Sequence, residues 1–212
     1  MNPTRHYTER IGYLFRCLLR LGILVFGLAV ACAGCMAHKS YIDPQFHDAD
    51  YQSIKVPDSP RPVTVAVTFL TNGSPNEAAK VPVRTQAVKV LTATRVFTER
   101  TNPQTSPAGR IEITVNNIGD TSEAMRKGWN TGASLGLVGN EIVDGYEMTA
   151  TYAPAGGSPV TRTYKHAIHH TFGAHSALEG MELLPSGDAA FERVLEDMLL
   201  NFVRDLQKDG TV

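Results

Sequence analysis

Residues 145–170, GYEMTATYAPAGGSPVTRTYKHAIHH, read as two strands joined by a tight turn. In the first strand Tyr146, Met148, Ala150 and Tyr152 alternate with Glu147, Thr149 and Thr151, which is the period of a half-buried strand. Ala155-Gly156-Gly157-Ser158 supplies the small residues that a hairpin turn needs, and residues 160–170 are the returning strand. Upstream, VTVAVTFL at 63–70 is β-branched and apolar, as a buried strand requires, and TNGSPNE then breaks it. Val83, Ala87, Val90, Leu91 and Thr94 recur at helical spacing, with Pro82 suited to the first turn. Residues 95–98 suit a short strand, and 110–115 alternate Ile111, Ile113 and Val115 with Arg110, Glu112 and Thr114. At the C-terminal end Asp188 can cap a helix whose apolar stripe is Phe191, Leu195, Met198, Phe202 and Leu206. Val194, Leu199 and Val203 widen that stripe, and Gly210 follows it. The expected fold is α+β: a mostly antiparallel sheet with two main helices on one face, plus a short Gly-rich helical segment.

Composition sets the class. Of 212 residues 42% are hydrophobic, enough for one ordinary domain with an N-terminal extra. The formal net charge of −1 conceals a basic start, since residues 1–34 sum to +3 and the remainder to −4. A mildly acidic domain carries no electrostatic footprint for nucleic acid. Cys17, Cys32 and Cys35 all precede the domain, which therefore offers no disulfide, thiol nucleophile or cysteine zinc site.

The first 34 residues carry the most specific signal. A basic segment precedes LGILVFGLAVA at 21–31, an apolar run of 11 residues. That is short of the roughly 20 needed to span a bilayer, and it suits the core of a secretory signal. An uncleaved anchor is the competing reading, because Leu14, Phe15, Leu18 and Leu19 extend the apolar character. Ala31-Cys32-Ala33-Gly34-Cys35 resembles the lipobox of bacterial lipoproteins, in which the cysteine becomes the acylated N-terminus. The resemblance implies lipidation at Cys35, with Cys32 as the rival. The following Met36 (Ala33 for the rival) is not the aspartate that retains the family at the inner membrane, which implies the outer membrane, facing the periplasm. The expected organisation is a signal peptide at 1–34, a tether at 35–61 and a periplasmic domain at 62–208.

The domain carries a looser resemblance. LTATRVF at 91–97, GASLGLVG at 132–139, DGYEMTATY at 144–152, the Gly-Gly hairpin and the terminal amphipathic helix are similar to uncharacterised bacterial envelope lipoproteins. More remotely, the order of elements resembles periplasmic domains of curli-secretion and lipopolysaccharide-assembly lipoproteins. Neither likeness implies a catalytic or ligand-binding residue.

Three features compete as sites. Gly128, Gly132 and Gly136 are spaced four apart, which on a helix permits close backbone approach, membrane contact or self-association; tight packing on the sheet is the plainer alternative. His166, His169, His170 and His175 could ligate a metal or a small ligand, but no neighbouring carboxylate completes a known ligand pattern. Ser134 lies in a superficial G-x-S-x-G match that lacks the preceding apolar strand a nucleophile elbow requires. The expectation is a non-enzymatic lipoprotein. Its membrane contact would be the covalent lipid, it would take no other cofactor, and its partners would be other envelope proteins in assembly, secretion or maintenance. Metal or small-ligand binding is the alternative.

Overall fold

In chain order the strands are β1 (His38–Ile42), β2 (Arg61–Thr71), β3 (Ser74–Pro75), β4 (Phe97–Glu99), β5 (Gly109–Ile118), β6 (Glu141–Ala153), β7 (Val160–Phe172) and β8 (Glu182–Leu184). The helices are α1 (Glu77–Ala93) and α2 (Gly187–Lys208), with a 3₁₀ turn at Pro44–Phe46. These come from a computed structural model that describes residues 38–100, 109–119, 141–172 and 179–212. The chain divides after Ala37 into two units, and His38–Val212 carries every element named above. The expected signal peptide, Cys32, Cys35, Gly128, Gly132, Gly136, Ser134 and His175 lie outside the described residues.

The strands form one sheet in the order β3-β2-β5-β6-β7-β1-β8, with β4 paired to the start of β2. The expected hairpin forms, with Met148 facing Tyr164 and Thr149 facing Thr163. The sheet is mixed: β2 runs parallel to both β4 and β5, while the other pairings are antiparallel. The cause is α1, a helical crossover that returns the chain to the direction of β2 before β5 begins.

Three expectations need correction. The stretch 35–61, read as a tether, contributes β1, which lies between β7 and β8. Tyr41, Ile42, Ala49 and Ile54 are all buried, so widely spaced apolar residues anchor a polar segment. Side chains of α2 complete its backbone bonding: Asn201 donates to the Phe46 carbonyl at 3.2 Å and Arg204 to that of Asp48 at 2.8 Å. Helix α1 begins at Glu77, placing Pro82 inside it, because Asn76 caps the first turn by accepting from the Ala79 N–H. Helix α2 is capped by Ser186, which accepts from the Ala189 N–H at 3.1 Å, and Asp188 lies in its first turn.

Both helices pack on the sheet and on each other. Val63, Val65, Val67 and Phe69 of β2, Ile111, Ile113 and Val115 of β5, and Met148, Ala150 and Tyr152 of β6 join the α2 stripe in one core. Toward the hairpin turn the reverse face is polar, with Thr149–Thr163 and Thr151–Thr161 hydrogen-bonded between the strands, whereas at the other end it buries a small apolar cluster of Ile118, Val143 and Ala167.

The turn after β2 is a testable element. Asn72 and Gly73 have φ of 50° and 81°, the paired positive values of a two-residue hairpin turn. A Cβ on Gly73 would meet nothing within 4 Å. Gly73→Ala is therefore expected to cost about 1–2 kcal/mol through backbone conformation alone, read from urea denaturation.

Candidate functional site

Strands β2, β5 and β7 finish, and β1 and β6 begin, at one end of the sheet. The N-terminal turns of α1 and α2 lie over this end. Between them is a cleft of about 600 Å³ lined by residues that include Phe69, Ala79, Val83, Ile168 and Phe191. This is within the range of small-ligand sites. Phe191 contacts Phe69 edge-on at 5.8 Å between ring centroids and Tyr146 at 5.3 Å, giving the cleft an aromatic wall. Burial raises the Tyr146 phenol well above its ordinary pKa, the Asp144 charge adds to this, and a hydrogen bond with Asn117 opposes it. Tyr146 therefore keeps its proton at neutral pH. Asp188 and Glu192 supply exposed carboxylates at the rim.

His170 forms the polar corner. Its Nδ1 lies 3.1 Å from Ser40 Oγ and 3.0 Å from His38 Nε2, and its Nε2 lies 3.3 Å from Asp144 Oδ2. Serine, histidine and aspartate thus stand in line, the residue types of a nucleophilic triad. Ser40 is only 1% exposed, however, and shares Nδ1 with His38, so its oxygen presents no open side to a substrate. The line holds β1 and β6 against β7, and it fixes the His170 ring, which stacks on His38 at 4.9 Å.

Strand geometry separates the predicted histidines. His166 and His170 share the helix-facing side, and His169 takes the reverse side. Among the described residues no group of three or more His, Cys, Asp or Glu side chains is arranged to hold a metal ion. His166 is fully buried against Asp197 of α2: its Nε2–H donates to Oδ2 at 3.2 Å, and its Nδ1 accepts from the Ala167 N–H at 2.9 Å. Asp197, itself fully buried, also accepts from His47 Nδ1 at 2.6 Å and lies 3.2 Å from Arg193 Nε. Sequence reading missed this network, since His47, His166 and Asp197 are brought together only by tertiary packing. Helical spacing puts Arg193 four residues before Asp197, the one local signal.

Glu196 borders the same network. Burial raises its carboxyl pKa, ahead of the opposing Arg193 charge and the reinforcing Asp197 charge. The folded state holds this proton to higher pH than the unfolded chain does, so the residue costs stability as pH rises through the carboxylate range. Glu196→Gln is expected to raise the melting temperature at neutral pH and to leave it unchanged below the carboxylate range.

No protein-family model and no curated protein matches the sequence. Among solved structures the chain is similar to a minor lipoprotein from Acinetobacter baumannii, at 11% identity and a TM-score of 0.40, covering 73% of this chain and 96% of that one. It is also similar to PelC, crystallised as a dodecamer, from Paraburkholderia phytofirmans, at 12% identity and a TM-score of 0.33, covering 80% of this chain and 98% of that one.

Proposed function

We propose that this chain is a non-enzymatic lipoprotein of the bacterial outer membrane, acylated at Cys35, with its domain facing the periplasm and acting through contacts with other envelope proteins. One observation carries the reading. Basic residues, the apolar run 21–31 and Ala33-Gly34-Cys35 end two residues short of β1, so the lipobox-like signal stops where the folded domain starts. Acylation suits such a chain, because buried CH₂ groups contribute about 0.8 kcal/mol each and several acyl chains hold a protein without a spanning helix. Growth with an alkyne palmitate is the test. Wild type and Cys32→Ser should take up label and Cys35→Ser should lose it; an unlabelled wild type, or one retaining Met1, overturns the proposal.

The cleft favours a second reading, a small-ligand-binding lipoprotein. Its apolar wall and fixed His170 corner form a built pocket rather than a flat contact surface.

A further inference from the structure

We infer that the cleft takes one acyl chain of an amine-headed bilayer phospholipid, with its ammonium group at the Asp188 and Glu192 carboxylates. The inference rests on the anchoring reading for delivery, and on the cleft itself for chemistry.

Location is the first argument. His38 stacks on His170, and His170 lines the cleft. Cys35 precedes His38 by three residues, a reach of at most about 10 Å. An acyl group on Cys35 therefore keeps β1, and the sheet end that carries the cleft, beside the bilayer surface.

Chemistry is the second argument. Phe69, Val83, Ile168 and Phe191 make an apolar floor without ionised groups, which suits hydrocarbon. Among the described residues the carboxylates that line the cleft are Asp188 and Glu192, both exposed, and no described lysine or arginine lines it. An anionic headgroup would meet like charge there. The ammonium of an ethanolamine headgroup would meet two carboxylates, at an aqueous rim where neither has to be buried. The neutral Tyr146 hydroxyl adds an uncharged polar group at the wall.

The test uses the full chain, purified from membranes and placed in nanodiscs of mixed phosphatidylethanolamine and phosphatidylglycerol, then released for native mass spectrometry. Wild type should retain one phosphatidylethanolamine per chain. Ala79→Trp and Gln86→Trp, at partly exposed wall positions, should each lower retention about tenfold while the protein stays folded. Asp188→Asn with Glu192→Gln should keep lipid retention but lose the preference over phosphatidylglycerol. A wild type with no retained lipid, or equal retention by both tryptophan variants, overturns the inference. Retention that appears only in Cys32→Ser/Cys35→Ser would mean that the protein's own acyl chain fills the cleft, and would overturn the bilayer source. The same spectra report the covalent lipid mass. Its absence would remove the anchor while leaving the retention result standing on its own.

Discussion

Asp197→Ala should lower the stability of the domain by about 3–5 kcal/mol, because it strips a buried charge network of its centre. The carboxylate is fully buried and collects His47, His166 and Arg193. Without it, His166 would keep an Nε2–H with no acceptor in a fully buried position, and Arg193 would lose its nearest anion. The loss would also loosen the segment after β1, which His47 ties to Asp197, leaving the Asn201 and Arg204 bonds to hold it. Thermal denaturation followed by circular dichroism should show a fall of about 10 °C, given that 1 kcal/mol shifts Tm by about 2–4 °C at this size. His47→Ala, which removes a partner 31% exposed, should cost only about 1 kcal/mol. Equal losses for the two variants would show that Asp197 does not act as the hub.

Phe202→Ala should cost a similar amount, about 3–5 kcal/mol, by a different route. Phe202 is fully buried on α2 and meets the edge of Tyr164 at 6.5 Å. Truncation leaves a void among Leu199, Val203 and their sheet partners, which close packing prevents from collapsing. It also weakens the seat of Tyr164, whose hydroxyl donates to Asp205 Oδ2 at 2.9 Å. Urea denaturation should show a lower midpoint with an unchanged slope. Phe202→Leu, which retains most of the volume, should recover more than half of the loss.

The long strands and α2 are legible because each carries a periodic pattern over many residues: Tyr146 to Tyr152 alternate, and Phe191 to Leu206 follow a helical stripe. Strand β1 is not legible, because Tyr41 and Ile42 are adjacent and bury on opposite faces in five residues of mixed polarity. The start of α1 is hidden for another reason. Pro82 looks like a first-turn residue, and only the Asn76 side chain reveals the earlier cap. Of the candidate site, the histidines are visible in sequence, but their partners are not. Ser40, Asp144 and Asp197 reach them through strand register and helix docking, and Ser40 could be assigned to His170 only once β1 was known to pair with β7.

The place of β1 in the sheet also bears on the order of biosynthesis. His38 and His170 are 132 residues apart, and among the described strands β1 neighbours β7 and β8. Until a ribosome has made most of the polypeptide, β1 has neither of these partners to zip against. Such distant pairing is slow to form. A nascent chain in this condition locks its leading edge in place only after the trailing half arrives.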